Sequence, residues 1–325
     1  MCLDYGTAFT SISYIVFDPA DPPVEIGPSA VQSVRDWPQA TGHFHAGNAC
    51  VPSESWYRDG QQYLWGHAVQ QTLRTMSEED VASTNRVVQL AKLLLDYDHD
   101  KDGQDQGQSG ASGDPLLEIK NVLRNVGKTA KEVVKDYLTQ VFRHAHQQLA
   151  RREGFNRSWE VELALCVPSK WSTYAHLTMQ EIALEVTAAT GIQAGGDFSL
   201  FIIDEPEAAV TFALRYDHIR DRIEEDSNFI VCDAGGKDCG SSYINQALSE
   251  EAKRRLANVS GLGSETVYSK EAVIHHDLFR AFEQEVKRTY DPAEMDEAER
   301  IAVRLWGLRA DPDKDFGHGI FYITK

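Results

Sequence analysis

No stretch of this chain approaches the ~20 consecutive apolar residues that a membrane-spanning helix requires. No charged segment followed by an apolar one precedes its first strand-like run, so a secretory leader is not expected. Cationic side chains are scarce: 32 Lys and Arg stand against 50 Asp and Glu, a formal charge of −18. No basic run interrupts that acidity, which argues against nucleic acid or an anionic membrane surface as partner. The five cysteines (Cys2, Cys50, Cys166, Cys232 and Cys239) are odd in number, scattered and without metal-ligand spacing. A disulfide framework is therefore not expected, and a reducing cytoplasmic compartment is. There is no Gly-x-Ser-x-Gly elbow to support nucleophilic hydrolysis. His43, His45, His275 and His276 have no cysteine or carboxylate at ligand spacing and read as surface histidines.

What is there is an ordinary soluble composition, 42% hydrophobic and 25% charged, in 325 residues, long enough for two lobes with ample core. The first hundred residues read as β-rich, from "SISYIVFDP" to "QQYLWG" after the Asp59-Gly60 turn. The spacing of Val81, Val88, Leu90, Leu94 and Leu95 predicts a helix over 76–97. A polar, Gly-rich stretch over 98–115 reads as a flexible acidic loop. Asp98, Asp100, Asp102 and Gly103 copy half of a calcium loop, but Ser109 stands where its bidentate glutamate belongs. A long helix is predicted over 116–153, weakened at Gly127. From residue 154 the pattern alternates: strand "WEVELALCVP", helix "STYAHLTMQEIALEVTAATGI", strand "FSLFIID", helix "EPEAAVTFALRY", strand "NFIVCDAGG". That is the grammar of an α/β sheet, whose ligands bind at the carboxyl ends of the strands.

Two of those ends look alike. "LDYGTAFTS" places Asp4 at the end of an apolar run, followed by Gly6 and the hydroxyls of Thr7 and Thr10. "VCDAGG" places Asp233 before Gly235 and Gly236. Glycine permits close backbone approach to a phosphate, the hydroxyls donate, and a carboxylate orients metal-bound water. Between them, "IIDEPEAAV" sets Asp204 as a helix cap, Pro206 in the first turn, and Glu205 at the strand–helix junction.

Taken in this order, with "CVPSKWS", "VPSESWY" and "DCGSSYIN", these motifs resemble the heat shock protein 70 family, most of all its divergent fungal-type members. The likeness runs from Leu3 to about Tyr290. It implies an α/β fold: a bilobal actin-like ATPase (ribonuclease H-like) nucleotide-binding domain, with ATP or ADP and Mg²⁺ held between lobes of residues 1–153 and 154–325. By resemblance, Asp4 and Asp233 match carboxylates that reach the metal through water. Gly6, Thr7, Gly235 and Gly236 match phosphate-loop positions, and Glu205 and Asp233 match the catalytic carboxylates. Lys287 and Arg288 resemble base-flanking residues. Co-chaperones or client proteins are the partners such a domain implies, besides the nucleotide.

The chain also departs from the family's pattern. Lys237-Asp238 follows Gly236 where a further glycine, a threonine and a hairpin belong. Gln70 stands where the typical chaperones carry a catalytic lysine, and Ala8 replaces a hydroxyl residue of the first loop. The second lobe reads as ending before the adenosine loop, with no substrate-binding domain after it. Three readings stay open: a weakly or negligibly hydrolysing ATP-binding domain; a degenerate, non-catalytic member that acts by binding another protein; and, last because no sugar-binding motif is present, another enzyme of the same superfold such as a sugar kinase.

Overall fold

The structure, a computed structural model, describes residues 1–24, 26–40, 49–58, 63–75, 86–96, 115–193, 198–220, 231, 241–259, 278, 282, 300–305 and 308–324. The backbone divides into two compact units, Met1–Ala68 with Asn85–Lys237 and Val69–Thr84 with Asp238–Lys325.

Chain order in the first unit begins β1 (Cys2–Tyr5), β2 (Phe9–Tyr14), β3 (Gln32–Ser33), β4 (Cys50–Pro52), β5 (Ser55–Trp56) and β6 (Leu64–Trp65). After α1 (His67–Thr75), which runs across the division, come β7 (Val87–Val88), α2 (Pro115–Val126) and α3 (Ala130–Arg152). Then follow β8 (Val161–Val167), α4 (Thr173–Thr190), β9 (Phe198–Asp204), α5 (Glu205–Ala213) and α6 (Asp217–Arg220). The main sheet has the order β3-β2-β1-β8-β9, with β4 also on β2. At its centre β1 runs antiparallel to β2, with Leu3 opposite Ile12, and parallel to β8, with Asp4 opposite Cys166. β9 continues the parallel side, Cys166 facing Ile203. This is an α/β arrangement.

Alternation decides what each strand buries. Leu3, Tyr5, Leu163, Leu165 and Val167 turn one way into the core, and Asp4 turns the other way into solvent. The core is closed by α3 and α4. α3 presents Val134, Leu138, Val141, Phe142 and Ala145, spaced three and four apart as one helical face. α4 presents Met179, Ile182 and Val186. Lys131–Glu181 (2.7 Å) and Lys135–Glu185 (2.5 Å) join the two helices at their exposed margin. α4 starts where the Ser172 hydroxyl accepts the Ala175 N–H and stops at Gly191, as the sequence predicts.

Three expectations change. The described part of 76–97 is not α-helical: Val87 and Val88 pair with Trp56 and Ser55, and Ala91–Leu94 is a 3-10 turn entered through a left-handed Leu90 (φ 57°). β-branched Val87-Val88 fits a strand at least as well as a helix, and the pairing with β5 decides it. The long helix over 116–153 is two helices. Gly127 (φ 67°) ends α2, and a capping box starts α3, Thr129 and Glu132 each receiving the other's backbone N–H (3.2 and 2.8 Å). Nor does the first unit stop at 153. β8 is hydrogen-bonded along β1, so β8 and β9 share a sheet with the chain's opening strands, and the first compact unit includes Asn85–Lys237. Of the acidic stretch 98–115, all but Pro115 lies outside the described residues.

In the second unit α7 (Ser241–Leu256) lies with the antiparallel sheet β10-β12-β11, formed by β10 (Arg300–Arg304), β11 (Phe316–Gly317) and β12 (Ile320–Thr324). Leu248, Ala252, Leu256, Val303, Leu305, Phe316 and Phe321 form its core. Arg255 lies over the Phe321 ring at 4.1 Å and donates to the Lys314, Asp315 and Tyr322 carbonyls, fastening α7 to the sheet.

Candidate functional site

Because β1, β8 and β9 are parallel, their carboxyl ends share one edge of the sheet, beside the point where β1 changes from an antiparallel to a parallel neighbour. Ligands of open α/β sheets bind at such a switch. At the end of β1 the chain turns through Gly6–Phe9. The Gly6 N–H donates to the Phe9 carbonyl at 2.9 Å, and a Cβ on Gly6 would lie 2.4 Å from that oxygen. Only glycine fits.

Ser53, just past β4, braces the turn. Its N–H donates to the Ala8 carbonyl (2.9 Å) and its hydroxyl to the Gly6 carbonyl (2.8 Å). The Ser53 hydroxyl also lies 2.8 Å from that of Thr10. Thr10 is fully buried, so its hydroxyl supports the turn from inside and offers nothing to a phosphate, contrary to the expectation from sequence. Thr7 differs. Among the described residues, its half-buried hydroxyl and the Thr7 and Ala8 amides carry no hydrogen bond. The loop thus keeps the Gly6, Ala8 and Phe9 carbonyls occupied and leaves two amides and one hydroxyl unused, donors that an anion could take.

Asp4 is exposed on β1, in register with Cys166. Glu205 opens α5 directly after β9, with Pro206 behind it in the first turn. Asp204 occupies the cap position without a side-chain hydrogen bond to the helix, so the predicted cap is positional only. The Cys166 thiol, opposite Asp4 in the β1–β8 register, is pushed above its usual range. Its hydrogen bond with Cys2 (Sγ···Sγ 3.8 Å) is the main cause; burial and the Asp4 and Glu205 carboxylates add to it.

One residue that sequence reasoning misses completes the edge. Lys92, in the 3-10 turn, is buried and its Nζ lies 2.6 Å from Glu205 Oε1. The Tyr5 and Trp171 rings flank it, with Nζ 5.9 and 5.6 Å from their centroids. Asp96 Oδ1 accepts the Ser172 N–H (2.8 Å) and ties the same segment to the start of α4. A lysine inside the apolar run "QLAKLLL" was the available signal.

The structure thus gathers Asp4, Gly6, Thr7 and Glu205 at one sheet edge. Asp233, Gly235, Gly236, Lys287 and Arg288 lie outside the described residues. Among the described residues no group of three His, Cys, Asp or Glu is arranged to ligate a metal. Two carboxylates at one edge suit Mg²⁺ bound through its own waters, since that ion keeps most of its hydration shell. No helix of the described residues is long and apolar enough to cross a membrane. Neither a protein-family model nor a curated protein matches this chain.

Proposed function

We propose that the chain is an Hsp70-like nucleotide-binding domain of the actin-like ATPase type, taking ATP or ADP with Mg²⁺ and turning ATP over slowly or not at all. The observation that carries this reading is the meeting of the Gly6–Thr7 turn with Glu205 at one sheet edge, from segments about 200 residues apart in sequence. The sheet order, an antiparallel hairpin on one side of β1 and two parallel strands on the other, is compatible with the ribonuclease H-like layer that the resemblance implies.

In this reading the Thr7 and Ala8 amides and the Thr7 hydroxyl donate to phosphate oxygens. Gly6 keeps the turn tight enough for the backbone to approach. Asp4 and Glu205 orient the waters around the cation, with Asp233 as a third carboxylate. Mg²⁺, when bound, neutralises phosphate charge, which is most of what phosphoryl transfer asks of a site. Slow turnover follows from Gln70 in place of a catalytic lysine and from the shortened sequence after Gly236.

Calorimetric titration of the purified chain with Mg-ATP and Mg-ADP tests it, beside a phosphate-release assay. The expected result is saturable binding with Kd on the order of 0.1–1 mM, weakened at least tenfold in Asp4→Ala. No saturable binding by ~10 mM refutes the reading. Binding without turnover selects the non-catalytic form of the domain, for which client or co-chaperone proteins are the proposed partners.

A further inference from the structure

We propose that Lys92 is a positioning residue of this site, holding Glu205 by one carboxylate oxygen so that the other is presented to the hydration shell of the cation. The inference rests on the nucleotide reading above.

Burying an ammonium is costly, and the neighbours of Lys92 in sequence (Leu90, Ala91, Leu93, Leu94 and Leu95) show that an apolar side chain was the cheaper choice for the same turn. Its surroundings are specific. Tyr5 ends β1, Trp171 lies four residues past β8 and Glu205 directly follows β9, so the lysine sits among residues at or just beyond the ends of all three parallel strands. The aromatic rings keep water from Nζ, which strengthens its hold on the carboxylate.

Glu205 is only half engaged. Oε1 takes the Lys92 hydrogen bond, whereas Oε2 has no protein partner among the described residues, and the side chain is a quarter exposed. A pair serving only to staple the 3-10 turn to α5 has no need to leave one oxygen open at the edge where Asp4 and the Thr7 amide also lie.

The test measures nucleotide affinity with Mg²⁺ and with EDTA in the wild-type chain, Lys92→Met, Lys92→Arg, Glu205→Gln and the double variant Lys92→Met/Glu205→Gln. The readout is the ratio of the two dissociation constants, which a purely structural staple would leave unchanged. The expected result is a ratio about tenfold lower in Lys92→Met, close to that of Glu205→Gln, no further fall in the double variant, and partial recovery in Lys92→Arg. An unchanged ratio in Lys92→Met overturns the proposal and leaves the nucleotide reading standing. Wild-type binding that ignores Mg²⁺ overturns the proposal together with the Mg²⁺ part of the nucleotide reading. Wild-type protein that binds no nucleotide overturns both. Should Lys92→Met fail to fold, the Lys92 ammonium resonance of the wild-type chain decides: it is expected to shift with Mg-ADP and not with ADP in EDTA, and an unmoved signal refutes the assignment.

Discussion

Breaking the Lys92–Glu205 pair from either side should cost different amounts of stability, because the two partners are unequally buried. The Lys92 side chain is 6% exposed and that of Glu205 25%. Removing one partner of a fully buried pair typically costs about 3–5 kcal/mol, through the charge left stranded. Glu205→Leu strands the lysine between Tyr5 and Trp171, and it also removes an acid from the first turn of α5, where the helix dipole adds roughly 0.3–1 kcal/mol. Its expected cost is about 3–4 kcal/mol. Lys92→Met strands a carboxylate on a side chain that is already a quarter exposed, so about 1–2 kcal/mol is expected. The double variant replaces the pair by two apolar groups packed against aromatic rings and should fall within about 1 kcal/mol of wild type. Urea unfolding followed by tryptophan fluorescence reads this out, since five of the six tryptophans belong to the first unit. If Lys92→Met costs as much as Glu205→Leu, or if the double variant is as unstable as the two losses added, the pair is not the buried, coupled element described here.

Gly6→Ala should cost about 2–3 kcal/mol, because the new Cβ meets a backbone oxygen at 2.4 Å and the β1–β2 turn must open; a thermal melt within ~0.5 kcal/mol of wild type would refute the steric account. His144 predicts a pH dependence. Its ring is buried against Trp37 (4.7 Å), with Nε2 2.8 Å from the Arg35 carbonyl, and burial holds its pKa below the ordinary 6.5. The unfolded chain therefore takes up this proton first: the contribution is complete above 6.5 and shrinks as pH falls below it. His144→Gln should flatten that part of the fall in stability between about pH 7 and pH 5.5, and an identical pH profile would rule His144 out as its source.

The parts legible in sequence are those whose signals are local. Alternation gave β2, β8 and β9, and Ser172, Gly191 and Pro206 punctuate α4 and α5 where the structure does. The Thr129-x-x-Glu132 capping box was equally readable and marks the break after Gly127 better than the glycine alone. Other features depend on distant residues. Val87-Val88 becomes a strand because Ser55-Trp56 lies beside it, and Thr10 turns from donor to brace because Ser53 reaches it. Lys92 was visible only as an oddity; its role needs Glu205, 113 residues away.

The central place of β1 has a consequence for synthesis. Its partner β2 follows after only three residues, so the hairpin can form as soon as both have left the ribosome. The opposite edge of β1 waits for β8, about 160 residues later in the chain. At roughly 5–20 residues per second, that edge stays open for some 8–30 s, with Leu3 and Tyr5 still without the helix that covers them. An unpaired, apolar strand edge is a template for pairing with other chains. A nascent chain of this protein is therefore most at risk of aggregation before Val161–Val167 emerges, and slowing translation downstream of β2 should lower its soluble yield.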